Sequence, residues 1–163
     1  MLRGFGAHYD YDTGYLEDLL DTSMEAFKAF EAAMPMARVR KAAPVDLIMI
    51  AKLAAMKAQD CGPCTLLTVK IAREAGLEET TIRAALKNGE GLEGEQRDVC
   101  DYANAVALNN ELHPDLLPRL QERLGNEVIA ELAVNIIATK LYPTLKLALG
   151  RSQSCSLIPE LAE

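Results

Sequence analysis

The chain has 163 residues, of which 50% are apolar, and a formal net charge of −7. Its length fits one domain with a substantial core, and its acidic balance argues against a general nucleic-acid surface, which needs clustered Lys and Arg. No segment approaches the roughly 20 uninterrupted apolar residues of a membrane span, and the N-terminus lacks the apolar stretch of a secretory signal.

Helical periodicity runs through the first part of the chain, and no alternating strand pattern interrupts it. Residues 1–12, with glycines among aromatic residues, predict an irregular N-terminal arm. A helix is expected from about Tyr15 to Met34, unless the cluster Asp21-Thr22-Ser23 breaks it in two. Pro44 then precedes a helix over Val45–Gln59 that is apolar on most sides, which is typical of a central, buried helix.

Further helices are predicted towards the C-terminus. Cys61-Gly62-Pro63-Cys64 opens a helix that Gly76 ends. Shorter helices follow over about 77–86, from residue 95 towards residue 109, and over 113–125. A long last helix is expected over 126–149, with a kink at Pro143. Residues 151–163 are expected to be a tail that is held loosely or packs against a partner subunit. The chain therefore predicts a single all-α domain, an antiparallel bundle of six to eight helices.

The CxxC motif is the strongest functional signal. Two thiols at that spacing can close a disulfide across one helical turn. The free N–H groups and the dipole of a helix N-terminus stabilise a thiolate, which lowers a cysteine pKa from its free value of about 8.5. Cys61 lies nearer those N–H groups, so it is expected to have the lower pKa. Pro63 is tolerated early in the helix because its missing N–H had no intrahelical partner.

Two other interpretations of the motif stay open. A single CxxC supplies two of the four ligands of a structural zinc, and His8 and His113 are distant in sequence. Alternatively, two small side chains simply pack at a helix start. Thioredoxin has the same Gly-Pro pair between its cysteines, but no βαβ pattern surrounds the motif here, which excludes that fold. Cys100 and Cys155 stand alone and are predicted to be small, buried hydrophobes.

The CxxC helix, its continuation AREAGLEETTIRAAL and the distal stretch LGNEVIAELAVNIIATKLYPTLKLALG resemble the carboxymuconolactone decarboxylase superfamily. The alkylhydroperoxidase D-like branch, which uses a CxxC, is the closer match, over about residues 44–150. The resemblance implies an all-helical fold that assembles into trimers or hexamers. It also implies a dithiol that reduces peroxides or passes electrons between proteins, with Cys64 as the attacking thiol, and no organic cofactor or metal.

The sequence departs from the proton relay of that branch. A Glu twelve residues before the first Cys is Met49 here, and a His four residues after the second Cys is Thr68. Neither can act as an acid or base near neutral pH. Asp46 and Lys52 are the candidate substitutes, the lysine because it could lower a thiol pKa. Alternatively, Asp46 is an ordinary charge at a helix N-terminus, and the side chain of Lys52 extends to the surface. Asp60 is expected to be a helix cap.

Together these features predict a cytoplasmic thiol–disulfide redox protein, a peroxidase or a disulfide reductase that uses Cys61 and Cys64. Its expected partners are a peroxide or disulfide substrate, an electron-donor redox protein and further copies of itself. The alternative is a non-catalytic oligomeric binding or assembly module of the same fold. Decarboxylation of a lactone acid needs no thiol, so the CxxC argues against it. Glu131 and Asn135, one turn apart, are expected to make an interhelical or intersubunit hydrogen bond.

Overall fold

The computed structural model describes residues 2–154, apart from the side chains of Leu2 and Arg3. Within that range the chain forms α-helices and no strand, which confirms the all-α prediction. The helices are α1 (Leu2–Tyr9), α2 (Gly14–Thr22), α3 (Met24–Ala33), α4 (Val45–Ala58), α5 (Gly62–Glu74), α6 (Glu79–Leu86), α7 (Gly94–Leu108) and α8 (Leu116–Ala148), and a 3₁₀ turn (Met34–Arg38) follows α3.

Helix α4 lies at the centre of the bundle and packs against α5, α6, α7 and α8. Nine of its 14 residues are buried, because apolar side chains surround it on nearly every side. The core that it forms with α7 and α8 is aliphatic, with Ile50, Leu53, Val99, Leu132 and Ile136 fully buried. The prediction of a central, buried helix is confirmed.

The expected break in the first long helix also occurs. Ser23 has an extended backbone, and its side chain accepts a hydrogen bond from the N–H of Ala26 at 3.2 Å. This cap starts α3 as a separate helix directly after α2. A serine that can cap a helix therefore interrupts a segment whose apolar periodicity alone favours one continuous helix.

The prediction of an irregular N-terminal arm is wrong, because residues 2–9 form α1. The helix is stabilised by tertiary contacts that the glycine-rich sequence does not reveal. Tyr9 donates to Glu74 of α5 at 2.5 Å, and the imidazole of His8 lies 2.8 Å from the same carboxylate. The rings of Phe5 and Tyr9 pack with centroids 4.9 Å apart. Short helices depend on such packing rather than on propensity.

Helix α8 is interrupted at Gly125, whose φ of 81° and ψ of 160° lie outside the helical range. This confirms the predicted helix end there, although the next helical segment starts at once. At Pro143, where the sequence predicts a kink, the backbone dihedral angles stay helical. By length and composition alone α8 could cross a membrane, but half of its most apolar 18-residue stretch is buried inside the fold. A core helix meets the same criteria.

Two buried polar residues of α8 hold the connection that leads into α4. The carboxylate of Glu131 accepts hydrogen bonds from the backbone N–H groups of Lys41, Ala42 and Ala43 at 2.8–3.2 Å. The side-chain amide of Asn135 donates to the carbonyl of Val39 at 2.7 Å. The predicted interhelical or intersubunit hydrogen bond is thus replaced by bonds to the backbone of residues 39–43, which position the start of the central helix.

Candidate functional site

The two cysteines of the motif lie together at the N-terminus of α5. Cys61 is the N-cap residue, with an extended backbone, and Cys64 is in the first helical turn. Their Sγ atoms are 2.7 Å apart, and each residue is 1% exposed. Both are free thiols. This geometry places two reduced sulfurs within reach of disulfide formation.

The backbone N–H groups in the first turn of α5 have interaction partners. The N–H of Gly62 donates to the carbonyl of Gln153 at 2.9 Å, and Pro63 has no N–H. The N–H of Cys64 interacts with the sulfur of Cys61 and lowers its pKa. Cys61 thus occupies the N-cap position, where Ser or Asp is common, and the backbone N–H of Cys64 favours the charged form of its sulfur.

Asp60 is not the cap that the sequence predicts. It has a left-handed backbone with φ of 49°, and its carboxylate accepts a hydrogen bond from Ser154 Oγ at 2.8 Å. Arg151 forms an ion pair with Asp18 at 2.5 Å. Residues 151–154 therefore contact their own chain beside the thiols, whereas the prediction of a tail that is held loosely or packs against a partner subunit stays a prediction for residues 155–163. The rest of the tail, including Cys155, lies outside the described residues.

The two thiols titrate as a pair. The hydrogen bond from Cys64 lowers the pKa of Cys61 to about 7, with further help from the backbone N–H of Cys64 and the charge of Lys146, against the opposing effects of burial and of Asp60. The hydrogen bond with Cys61 raises the pKa of Cys64 far above its usual range, and burial and the charge of Cys61 act in the same direction. The pair therefore loses one proton near neutral pH and retains the other.

Three residues that the sequence analysis did not single out surround the pair. Lys146 of α8 is 3% exposed, and its Nζ lies 4.5 Å and 4.9 Å from the ring centroids of Tyr11 and Tyr15. Two aromatic faces thus stabilise a buried cation next to the thiols. No sequence signal separates Lys146 from the other lysines of the chain, because its burial follows from the packing of α8.

Tyr11 brings a hydroxyl to the pair. Its oxygen lies 3.5 Å from Cys64 Sγ and 3.4 Å from the hydroxyl of Tyr15. Burial raises the pKa of both phenols, so both remain protonated and able to donate. Gly6 permits this placement, because a Cβ there would lie 2.8 Å from the carbonyl oxygen of Tyr11. No sequence pattern marks Tyr11 as a site residue.

The positions of the missing relay carry structural roles. Thr68 donates its hydroxyl to the carbonyl of Cys64 at 2.9 Å, and Met49 is buried in the aliphatic core. Asp46 accepts a hydrogen bond from Gln96 at 3.3 Å. His113 is exposed, and its Nδ1 accepts from the N–H of Asp115 at 3.4 Å.

Lys52, the lysine that the sequence suggests could lower a thiol pKa, forms a hydrogen bond to the 3₁₀ turn instead. It is half-buried, and its Nζ donates to the carbonyl of Ala37 at 2.5 Å. Burial lowers its pKa to about 8. The cation that lowers the thiol pKa is Lys146 instead. Lys52 is thus left without a role at the sulfurs.

A cavity of about 360 Å³ lies beside the dithiol, and Cys64 is part of its wall. Most of the wall is apolar or aromatic, including Tyr11, Tyr15, Met56, Leu67, Ile71 and Tyr142. Cys61 is not among the lining residues. A small organic molecule in this cavity would therefore lie beside Cys64. Among the described residues, no group of three or more His, Cys, Asp or Glu is arranged to hold a metal ion.

Comparison with known proteins supports the fold. No family model matches the chain, and no curated protein matches it either. A similar solved structure is a crystal structure of an Agrobacterium tumefaciens protein of unknown function, described as a candidate antioxidant defence protein AhpD. The two are 26% identical, with a TM-score of 0.68, over 83% of this chain and 94% of that one. This protein therefore has an AhpD-like, all-helical fold.

Proposed function

We propose that this protein is a thiol–disulfide oxidoreductase that reduces peroxides with Cys61 and Cys64. The observation that carries the proposal is the 2.7 Å separation of two reduced sulfurs at a helix N-terminus, one with a pKa of about 7. A coupled pair that carries one negative charge at neutral pH can supply the thiolate nucleophile that such chemistry needs. The antioxidant description of the similar Agrobacterium protein agrees with this assignment.

The position of the cavity supports Cys64 as the attacking thiol, because Cys64 is among its lining residues and Cys61 is not. The proton of Cys64 passes to Cys61 across the short contact, and the resulting Cys64 thiolate attacks the terminal peroxide oxygen. The oxygen–oxygen bond breaks, and Cys64 becomes a sulfenic acid while an alkoxide leaves. The hydroxyl of Tyr11 lies where it can donate to the Cys64 thiolate.

The pair supplies its own proton for the first step. The leaving alkoxide takes the proton retained on Cys61 and becomes an alcohol. The Cys61 thiolate then attacks the sulfenic sulfur of Cys64, which forms the disulfide and expels hydroxide, and solvent protonates the hydroxide to water. The two sulfurs lose two electrons and the peroxide gains them. No residue is therefore required at Met49 or Thr68 to deliver this proton.

A reductant must return the pair to the dithiol state. Two electrons from an external dithiol would open the disulfide by thiol–disulfide exchange. An electron-donor redox protein is the proposed physiological source, and dithiothreitol can take its place in an assay. Assembly into a trimer or hexamer is part of the same proposal, from the resemblance to the alkylhydroperoxidase D-like branch.

The proposal is tested by adding one equivalent of cumene hydroperoxide to the reduced protein and mapping disulfides by mass spectrometry. We expect a Cys61–Cys64 disulfide, and turnover in the presence of dithiothreitol. Cys61→Ser and Cys64→Ser should each abolish turnover with helicity intact, whereas the matched control Cys100→Ser keeps it. In Cys61→Ser, dimedone should trap a sulfenic acid on Cys64.

Full turnover in both single variants would refute the dithiol mechanism. The burial of both thiols favours one alternative, a non-catalytic binding or assembly module. Thiols that resist both peroxide and alkylation until the protein is denatured would support that alternative.

A further inference from the structure

The chemistry proposed above does not define the organic substrate. The residues that line the cavity beside Cys64 indicate which kind of molecule fits there. The volume of about 360 Å³ lies within the range that holds a small organic ligand. The aromatic and aliphatic wall suits an apolar body. The charged residues in the wall are Lys52 and Arg38, and both are cations.

This charge pattern is opposite to that of the whole chain. The protein has 24 acidic and 17 basic residues, yet no Asp or Glu is among the described residues that line the cavity. A random sample of the chain would bring more carboxylates than cations to the wall. The wall of the cavity therefore presents a positive region in an acidic protein, which favours an anionic ligand.

Among the described residues, the ammonium of Lys52 has one acceptor, the carbonyl of Ala37. Within residues 2–154 no carboxylate forms an ion pair with it. A partly desolvated cation is costly, as the fall of its pKa to about 8 indicates. A bound anion would offset that cost, because it would restore the charge interaction that burial removed.

The two functional parts of the wall come from different elements. Cys64 belongs to α5 and contacts Tyr11, whereas Lys52 belongs to α4 and contacts the 3₁₀ turn that contains Ala37 and Arg38. A ligand that spans the cavity can therefore present its reactive group to the thiol and a charged group to the lysine.

We propose that the cavity binds an apolar organic hydroperoxide that carries a carboxylate, with Lys52 and Arg38 as the residues that bind the carboxylate. This inference rests on the peroxide chemistry proposed above, and the carboxylate itself does not react. The thiol step consumes the hydroperoxide group, so the product is the corresponding hydroxy acid.

Binding is tested without any reaction by titrating the full-length protein with octanoate and with octanol, which differ in their head group. We expect octanoate to bind at least tenfold more tightly at pH 7. Lys52→Met should remove that preference and retain octanol binding, and circular dichroism should show an unchanged helix content. Lys57→Met is the matched control, since Lys57 is a half-buried lysine of the same helix that does not line the cavity.

Turnover is then compared for cumene hydroperoxide and its 4-carboxylate, and the carboxylate should have the higher kcat/KM in the wild type and in Lys57→Met only. Equal binding of octanoate and octanol would overturn the inference, as would an unchanged preference in Lys52→Met. A fast disulfide with equal rates for both hydroperoxides would overturn it and leave the proposed function intact. Lysine-dependent octanoate binding without disulfide from either hydroperoxide would overturn the peroxide function and the substrate assignment, and identify a carboxylate site alone.

Discussion

Cys100 and Cys61 are equally buried, with exposed fractions of 0% and 1%, yet their chemistry differs. Burial raises the pKa of Cys100 to about 11, whereas that of Cys61 is lowered to about 7. At neutral pH one sulfur is a small hydrophobe, as the sequence predicts, and the other is about half ionised. Burial by itself therefore says little about the reactivity of a thiol.

The helix position explains the difference. Cys100 lies inside α7, where the backbone N–H groups are used within the helix, and its sulfur contacts the carbonyl of Ala85 at 4.0 Å and the side-chain amide of Asn104 at 3.7 Å. Cys61 lies at the start of α5, where the thiol of Cys64, the backbone N–H of Cys64 and the charge of Lys146 all favour the thiolate. The local electrostatics, rather than the depth of burial, determine which of these two thiols ionises near neutral pH.

The pH dependence of alkylation tests this comparison most strongly. Because the thiolate is the reactive form, the iodoacetamide rate at Cys61 should rise with pH through a midpoint near 7, and that at Cys100 should stay low until near 11. At pH 7 we expect a difference on the order of 10³-fold or more. Peptide mass spectrometry after timed labelling measures both rates in one sample. Similar rates in the native protein would contradict the comparison, and denatured protein is the control for equal labelling.

Removing the buried cation should make Cys61 more like Cys100. In Lys146→Met the thiolate loses its nearby positive charge, so we expect the Cys61 pKa to rise by about one unit and oxidation by peroxide at pH 6 to slow about tenfold. Thiolate absorbance at 240 nm during a pH titration measures the pKa directly. Lys146→Arg keeps the charge, so its Cys61 pKa and oxidation rate should stay close to those of the wild type. An unchanged Cys61 pKa in Lys146→Met would exclude the electrostatic role of Lys146.

Removing the phenol hydroxyl should have the smallest effect. Tyr11→Phe keeps the ring beneath Lys146 but removes the hydroxyl 3.5 Å from Cys64. One hydrogen bond of about 1 kcal/mol corresponds to a roughly fivefold slower disulfide formation. Stopped-flow measurement with cumene hydroperoxide gives the rate, and Tyr102→Phe, in the aliphatic core, is the control that should not change it. Equal rates in the two variants would show that Tyr11 does not assist the thiol.

Much of the fold could be predicted because helix signals are local. Ser23 caps α3, Gly125 interrupts α8, and the apolar run over 45–58 forms the central helix. The failure at residues 2–9 has a physical cause. A glycine-containing segment lacks strong helix propensity, and contacts with Glu74 of α5 stabilise α1.

The candidate site could be predicted in part for the same reason. The CxxC spacing and its position at a helix start depend on residues within one helical turn, so the sequence predicts both. The lowered pKa of Cys61 follows from that position. The substitutes for the missing relay could not be found in this way. Lys52 and Asp46 are near Met49 in sequence, but the charge that lowers the thiol pKa is that of Lys146, which is distant from both in the chain.

By itself, then, the sequence determined an all-α chain and a dithiol at the head of a helix, because capping, periodicity and CxxC spacing act over a few residues. Only the tertiary structure decided what surrounds the sulfurs. Tyr11 lies 53 residues from Cys64 in the chain, and Lys146 comes from another helix altogether. Their positions follow from how the connection between α1 and α2 and the residues of α5 and α8 come together in the fold. A buried lysine and a surface lysine look the same in sequence, because only packing removes one of them from water.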